Sequence, residues 1–375
     1  MNTSNPPLPR EARESFPSLG DGHHGLWYDR FFNQYNKRWQ VYKEGEAPEI
    51  KEGKREWIRS VEGQVGDKHA LKNATLRLAT LCKSQGGEFD IFTASWHFVT
   101  GLGNAHPIEN GFLWHPTLGV PYIPGAAVKG LIRAWLEGEW EEPRNNEKLH
   151  RWFGSEDKDP EKCKNDNEAG AFVFFDALPL EPVTLKADVM TPHMNKWYEK
   201  GGDDPLDDPL VDPEVTPADW HNPVPIPFLV ADKPKFMFAV APRTGKKSKD
   251  LPKLMAMFAD ALAYLGAGAK TAVGYGHMPE RDEKNRRIMT EKIDRAALST
   301  EEWISAEVKK LSPEELAKKL GRKIKKTKKE KGDSWEAYLE EIVRVHGEVI
   351  RSWEFSNKAD EKMTYKTVFK DKEGV

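Results

Sequence analysis

Residues Ala263–Met278 read AYLGAGAKTAVGYGHM, and this segment constrains the fold and the function more tightly than any other. An apolar helical run leads into it. The residues that matter there are Gly266, Gly268, Lys270, Gly274 and Gly276. Glycine allows positive φ angles and close approach of a ligand to the backbone, successive backbone N–H groups can bind an anion, and a lysine adds positive charge. We therefore interpret residues 265–278, the glycine loop, as a candidate phosphate-binding loop.

The same loop has a simpler interpretation as a turn. A C-cap at Gly266 or Gly268 would end the helix, and the later glycines would lead into a strand, with Lys270 solvated. No Gly-Lys-Ser/Thr follows the glycines, and the loop closes a helix instead of opening one, so neither a P-loop nor a dinucleotide fingerprint is indicated. The sequence predicts no cofactor and leaves phosphate binding and a plain turn both open.

A second candidate segment starts at the rigid turn PYIPG, which ends at Gly125. Residues 126–137, AAVKGLIRAWLE, carry apolar side chains at helical spacing, so a helix is predicted directly after Gly125. Lys129 and Arg133 are four residues apart and share one face of that helix, within reach of a phosphate backbone. They also fit ordinary exposed helix charges.

Composition excludes several classes of protein. Two cysteines, Cys82 and Cys163, cannot form a disulfide framework or a thiolate metal cage, and they favour a reducing, cytoplasmic location. No zinc-type histidine spacing occurs, and the aspartates of 203–212 lack the pattern of a calcium loop, so no metal is predicted. No secretory leader and no apolar run of about 18 residues is present, so no membrane partner is expected.

Charge is distributed unevenly along the 375 residues. The net charge is only −3, so any binding of nucleic acid must come from a local patch. Residues 309–331 hold eleven Lys or Arg against three Glu, a local net charge of +8. Few apolar residues accompany these charges, which favours a solvated linker or loop.

The order of predicted elements indicates the fold class. The sequence predicts a strand at Phe89–Thr100, the helix after Gly125, a hairpin of Ala171–Ala177 with Val183–Val189, two strands in Val224–Val240 around a turn at Asp232–Pro234, a helix at Lys253–Leu265 and a last strand at VGYGHM. This βαββαβ order predicts an α+β protein with a ferredoxin-like, RRM-related sheet covered by helices on one face.

The same sequence patterns predict three segments of the chain. Residues 1–85 are expected to form a helical N-terminal appendage, with helices at Trp27–Tyr42 and Lys68–Leu81. The core is expected over 86–285, with an Asp/Pro-rich insertion near 196–217. Residues 286–375 are expected to form a helical, lysine-rich extension.

Three separated motifs carry a resemblance to a known family. They are PYIPGAAVKGLIRAWLE, ADVMTPHMNKWYEKG and LGAGAKTAVGYGHM, in that order. Together they resemble the RAMP superfamily of CRISPR proteins. The middle motif is similar to that of the sixth subunit of the type III-B (Cmr) effector complex. The resemblance covers roughly residues 89–278.

The resemblance implies a non-catalytic, structural subunit that binds CRISPR guide RNA near its 3′ part and packs against other RAMP subunits, with target RNA as a further partner. The family's loop and helix-start motifs carry over to Gly266, Gly268, Lys270, Gly274, Gly276, Gly125, Lys129 and Gly130. Arg133 and His193 complete the candidate RNA-binding residues. Ala126 and Ala127 stand where many members carry hydroxyl side chains, which leaves backbone N–H groups as donors there.

Two other functions stay open at this point. Some RAMP relatives are metal-independent endoribonucleases that use a histidine as general acid or base, and His106, His115, His193 and His277 lie in motif-rich segments. Alternatively, the chain is a protein adaptor without RNA contacts, in which the glycine loop is only a turn. Salt-dependent RNA binding separates the adaptor from an RNA-binding subunit.

Overall fold

The computed structural model describes residues 19, 22–36, 38–41, 43, 53–138, 146–155, 168–194, 197 and 222–370. The chain divides into two compact units, Met1–Arg287 and Ile288–Val375. The domain boundary predicted at residue 85 stays a prediction. Cys163, the aspartates of 203–212 and nearly all of the 196–217 insertion lie outside the described residues.

The first unit combines helices with antiparallel strands, as expected for an α+β protein. Its described helices are α1 (His24–Arg30), α2 (Gly53–Ser60), α3 (Lys68–Ser84), α4 (Gly125–Glu137), α5 (Asn146–Phe153) and α6 (Leu251–Tyr264), and α7 (Glu283–Ala297) crosses the division. Its described strands are β1 (Gly63–Val65), β2 (Glu88–Thr93), β3 (His97–Phe98), β4 (Phe172–Phe174), β5 (Leu178–Pro179), β6 (Val183–Met190), β7 (Ile226–Asp232), β8 (Lys235–Pro242) and β9 (Glu280–Arg281). The helices predicted at 68–81, after Gly125 and at 253–265 are confirmed.

One sheet of the described residues has the order β4-β8-β2-β9, with β5 also paired to β8. All of its pairs are antiparallel. Helix α6 packs on this sheet through Phe258, whose ring centroid lies 4.9 Å from that of Phe238 and 6.2 Å from that of Phe92. This packing fixes where α6 ends and therefore where the glycine loop begins.

A second sheet has the order β1-β6-β7-β3 in the part of the chain that is described. Along β6, Val183 and Leu185 are buried while Thr184 and Lys186 are exposed, the alternation expected of a sheet with one covered face. Helix α2 lies against β6 and β7. The opposite face of β6 carries the polar residues described below, whereas the central residues of β7 are buried on both faces.

A β-bulge at Ser95 joins the two sheets. Residues 88–94 pair with 240–234 and residues 96–98 pair with 233–231, so Ser95 is one extra residue in an otherwise continuous two-stranded ribbon. The N–H of Ala94 donates to the carbonyl of Pro234 (3.0 Å) and that of Lys233 to the carbonyl of Trp96 (3.2 Å). A bulge bends its strand and increases the local twist. The two strands predicted in Val224–Val240 are confirmed as β7 and β8. The backbone bends between them at Lys233, whose φ angle is +45°, but the two strands do not form a hairpin because they lie in different sheets.

Two strand predictions are wrong. The predicted hairpin does not form, because β4 pairs with β8 in the buried sheet while β6 pairs with β1 and β7. The predicted last strand is instead a 3₁₀ turn at Thr271–Val273 followed by irregular backbone, because positive φ angles interrupt any ladder. The short strand β9 takes the expected edge position.

The N-terminal aromatic helix is shorter than predicted. It ends at Arg30, and an antiparallel bridge joins Tyr35 to Val41. The side-chain oxygen of Asn36 accepts the N–H groups of Arg38 and Gln40 at 2.9 and 3.0 Å. Such local side-chain bonds compete with the helix for the backbone donors. Tyr28 is buried in the same hydrophobic cluster as Phe98, so this segment contributes to the core of the first unit.

The second unit is helical in its described residues. Its helices are α8 (Thr300–Lys310), α9 (Pro313–Ala317), α10 (Ile324–Lys331), α11 (Trp335–Arg351) and α12 (Ala359–Tyr365). Capping boxes at Ser299 and Ser312 start α8 and α9. The linker or loop predicted for the lysine tract is wrong, because residues 324–331, the last part of the tract, fold as α10.

We expect deletion of Ser95 to destabilise the first unit by more than about 3 kcal/mol, since closing the bulge rotates Phe98 out of the core. Ser95→Ala keeps the bulge and loses only the hydrogen bond from Ser95 Oγ to the His277 carbonyl, 3.2 Å, at a cost of about 0.5 kcal/mol. Thermal unfolding of both variants measures the difference. Equal melting temperatures for the two variants would contradict the bulge assignment.

Candidate functional site

The glycine loop lies along the edge of β3. The N–H of Ser95 donates to the carbonyl of His277 (2.9 Å), the N–H of Gly276 to that of His97 (2.8 Å), and the N–H of Ala269 to that of Val99 (2.8 Å). Every second residue of 95–99 thus bonds to the loop, as in a strand pair. Helix α6 holds the loop on its other side, where the N–H of Met278 donates to the carbonyl of Leu262 at 2.9 Å.

Two glycines of the loop are required by the protein's own backbone. A Cβ atom on Gly276 would lie 1.9 Å from the Ala267 carbonyl oxygen, and one on Gly268 would lie 2.3 Å from that of Val99. Both residues also have positive φ angles, +69° and +93°. The turn interpretation therefore explains these two positions without any ligand.

His277 also serves the internal structure of the loop. Its Nδ1 lies 3.0 Å from the Ala263 carbonyl oxygen, and its Nε2 lies 3.0 Å from that of Thr271. The ring thereby connects the end of α6 to the 3₁₀ turn. Both ring nitrogens of His277 are therefore engaged, as are those of His106.

The outer part of the loop has the features expected of a phosphate site. Lys270 has a left-handed backbone (φ +57°), and the N–H groups of Lys270, Thr271 and Ala272 donate to no described residue. The Lys270 ammonium lies 5.6 Å from the Phe228 ring centroid and forms no ion pair with the described residues. Val273 is 63% exposed. Unused amide donors and an unneutralised lysine therefore lie together at the surface.

An aromatic and acidic cluster beside the loop was not found from the sequence. Trp96, 43% exposed, stacks on His97 with ring centroids 4.7 Å apart and lies 4.8 Å from the Tyr275 ring. His97 Nδ1 contacts Asp188 Oδ2 at 3.2 Å, and the Tyr275 hydroxyl donates to the same oxygen at 2.7 Å. The sequence signal for this cluster was the pair Trp96-His97 at the end of a predicted apolar strand. Because the bulge at Ser95 was not predicted, the sequence did not show which side of the strand each ring faces.

Hydrogen bonding sets the ionisation of this cluster. Burial alone would raise the pKa of Asp188, but hydrogen bonds from Tyr275, the Val189 N–H and His97 outweigh it and hold that pKa below its usual value. Burial and the Asp188 carboxylate raise the pKa of Tyr275. Near neutral pH, Asp188 is therefore ionised and Tyr275 remains a hydrogen-bond donor.

Two aspartates neutralise groups that could otherwise bind an anion near the site, one at the Lys186 ammonium and one at the backbone N–H that begins α4. Lys186 is paired with Asp232 at 2.5 Å, on the face of β6 that also bears Asp188. At the start of α4, the Asp176 carboxylate accepts the Gly125 N–H at 2.7 Å. A carboxylate already occupies that helix end, so the donors predicted there after Gly125 face a negative charge.

The remaining α4 residues differ in their availability. Arg133 is paired with Glu137 at 2.7 Å, whereas Lys129 is half-buried and forms no ion pair with a described residue. Trp135 stacks on Tyr264 at the end of α6, with ring centroids 5.7 Å apart. Ten residues of helix separate Gly125 from Trp135, about 15 Å along the axis. The loop and the start of α4 are therefore separate surfaces.

The other histidines divide into structural and exposed positions. His106 is half-buried, its Nε2 lies 2.9 Å from the Tyr28 carbonyl oxygen, and burial lowers its pKa against the effect of that hydrogen bond. His115 Nδ1 accepts the N–H groups of Thr117 and Leu118 in a turn. His193 is exposed beyond the end of β6. The described residues contain no cluster of three or more potential metal ligands, and none of their helices is long and apolar enough to cross a membrane.

Comparisons with known proteins agree on one family. The model of the RAMP superfamily matches residues 91–278. The chain is 30% identical over 240 residues to the "CRISPR system Cmr subunit Cmr6" of Pyrococcus furiosus, covering 50% of this chain and 66% of that protein. It is 27% identical over 193 residues to the Saccharolobus solfataricus subunit of the same name, covering 50% and 55%. The chain thus spans 66% and 55% of the lengths of these relatives.

Among solved structures, the chain is similar to one from the cryo-EM structure of the type III-B Cmr-beta complex bound to cognate target RNA. The sequence identity is 18%, the TM-score is 0.46, and the match covers 72% of this chain and 90% of that one. Residues beyond 278 lie outside the RAMP family match.

We expect Gly276→Ala to destabilise the first unit by about 3 kcal/mol, because the added Cβ atom overlaps a carbonyl oxygen and the backbone is left-handed. Gly130→Ala is the matched control. Its Cβ meets open space within α4, so this substitution should stabilise the protein by about 0.5 to 1 kcal/mol. Chemical denaturation measures both, and a neutral Gly276→Ala would argue against the internal role of that glycine.

We expect Tyr275→Phe to lower stability by about 1 to 2 kcal/mol at neutral pH, since Asp188 loses a hydrogen bond to its charged form. Because the pKa of Asp188 is lower in the folded than in the unfolded chain, its ionisation stabilises the fold at pH values above the unfolded pKa. This stabilisation is lost as the pH falls through the folded pKa. The difference from the wild type should therefore shrink below about pH 4. Melting curves across pH test this, with Asp188→Asn as a background in which no such pH dependence should remain.

Proposed function

The chain belongs to the RAMP superfamily, and on this premise we propose that it is a non-catalytic RNA-binding subunit of a type III-B CRISPR effector complex. It holds the 3′ part of the guide RNA, packs against neighbouring RAMP subunits and acts in antiviral defence in the cytoplasm, with target RNA as a further partner. The names of its relatives support the complex, and the exposed part of the glycine loop supports the RNA contact.

The topology of the first unit supports a ferredoxin-like, RRM-related core. Taken in chain order, β2, α4, β4, β8, α6 and β9 give the βαββαβ pattern. Strand β2 lies between β8 and β9, and β4 lies beyond β8, so the two strand-helix-strand connections are interleaved. The sheet β1-β6-β7-β3 is an addition to this core. It provides the polar face on which Asp188 and Lys186 lie.

The single observation that carries the proposal is the outer rim of the loop. Lys270 presents an ammonium group next to amide donors that bind no described residue, and Trp96 offers a partly exposed ring beside them. Amide groups and a lysine contact phosphate, and an exposed indole stacks on a base of any sequence. RNA would therefore be bound largely without sequence preference, with the left-handed Lys270 as the charged contact.

The histidine environments support a non-catalytic role over an endoribonuclease. A general acid or base must reach the substrate with a free ring nitrogen. Both ring nitrogens of His106 are engaged, His115 holds a turn, and His277 joins two carbonyl groups of the loop. We assign the exposed His193 to RNA contact.

We expect Lys270→Ala to weaken binding of single-stranded RNA by the purified chain and to reduce the slope of log K against log salt by about 0.7, the value for one phosphate contact. The fold should be unaffected, since alanine and lysine carry the same Cβ penalty at positive φ. Lys253→Ala removes an equal charge from the exposed side of α6 and is the control. An affinity for Lys270→Ala equal to that of the control at low salt would contradict RNA binding at the loop.

The same titrations separate the roles of charge and stacking. Trp96→Ala should lower affinity without changing the salt slope, because base stacking releases no counterions. The RNA recovered from each sample should remain intact, with or without divalent metal. Site-specific cleavage that His193→Ala abolishes would favour the endoribonuclease, and RNA binding absent at every salt concentration would favour the protein adaptor.

A further inference from the structure

Helix α10 in the second unit carries the C-terminal end of the lysine tract as folded structure. Its inner face is anchored by Thr327, which is buried and whose hydroxyl donates to the Lys319 carbonyl at 3.4 Å, and by Lys331. The Lys331 ammonium lies 3.8 Å from the Trp303 ring centroid and 4.5 Å from that of Tyr338, and it is paired with Glu307. These contacts fix the orientation of the helix within its unit. The lysines on its other side therefore occupy defined positions.

Four exposed lysines on and just before α10 form what we call the lysine surface. They are Lys323, Lys325, Lys328 and Lys329. None forms an ion pair with a carboxylate among the described residues, whereas the neighbouring Lys326 and Arg322 are paired with Glu330 (3.9 Å) and Asp360 (2.6 Å). The surface therefore keeps a concentrated positive charge in a chain whose net charge is negative.

Helix stability does not account for this arrangement. Lys325 is three and four residues before Lys328 and Lys329, spacings at which like charges destabilise a helix. The helix dipole favours cations in the last turn, which accounts for Lys328 and Lys329, but it disfavours them in the first turn, where α10 has Lys325 and no acidic residue. A polyanion neutralises such a cluster and gains entropy from the counterions released.

We propose that the lysine surface is a second RNA-binding surface, which contacts phosphates of the backbone without reading bases. This proposal rests on the proposed function for the identity of the polyanion, but the lysine surface lies outside the residues that the RAMP family model matches. An RNA backbone fits better than a membrane or a protein groove, because residues 321–331 expose no large apolar side chain that could insert into lipid or pack on a partner.

The experiment uses the full chain with Lys325, Lys328 and Lys329 replaced by glutamine. Glutamine keeps helix propensity, and removal of like charges should leave the melting temperature equal or higher. We expect the affinity for a single-stranded RNA of mixed sequence to fall at least about tenfold at low salt and the salt slope to fall by about 2, as for three lost phosphate contacts. The control replaces Lys292, Lys362 and Lys366, three exposed lysines of the same unit, by glutamine.

Each outcome bears on the proposal. An effect of the control triple equal to that of the test triple would overturn it, since net charge alone would then explain the binding. Unchanged RNA affinity in the test triple would also overturn it. Binding to vesicles containing phosphatidylserine that the test triple abolishes, with RNA binding intact, would assign the surface to membranes instead. If Lys270→Ala loses RNA affinity and the test triple does not, the proposed function is supported and the second surface is ruled out.

Discussion

The candidate site depends on the row of backbone hydrogen bonds between residues 95–99 and the glycine loop. Three bonds of 2.8 to 2.9 Å hold the loop against the open edge of β3. They bring Tyr275 next to Trp96 and His97, place Lys270 over Phe228 and expose Thr271–Val273. Gly268 and Gly276 are glycines because the loop approaches this edge and itself too closely for a Cβ atom. The order inside the loop is thus imposed by the protein, and its outer rim is what remains available for a ligand.

Much of the fold could be predicted because its signals are local. The amphipathic pattern after Gly125 and the apolar run before the glycine loop specify their helices within a few residues. The strand partners could not be predicted, because pairing of β4 with β8 and of β6 with β7 depends on which faces become buried in the folded chain. The bulge at Ser95 leaves no local signature either, since it is defined only by the register of two distant segments.

The candidate site likewise has residues that could be predicted from the sequence and residues that could not. The glycines and Lys270 were predicted from composition and spacing, but the reason for two of the glycines lies in contacts with Val99 and Ala267 that only the folded chain shows. Asp176 at Gly125 and the Asp188–Tyr275 pair are long-range contacts without a motif. The lysine tract was misjudged because its few inward residues, Thr327 and Lys331, are polar and pack through a hydroxyl and a cation over aromatic rings.

Closure of the β3 edge by the glycine loop also restricts how copies of the chain or its neighbours can assemble. A bare strand edge invites another chain to extend the sheet, which leads to fibres as readily as to ordered complexes. Here the loop occupies the Ser95 N–H and the carbonyl groups of His97 and Val99 with a backbone too irregular to template a further strand. Any chain that docks on this side of the molecule must therefore do so through side chains, so that its placement is set by surface shape and charge rather than by shared sheet hydrogen bonds.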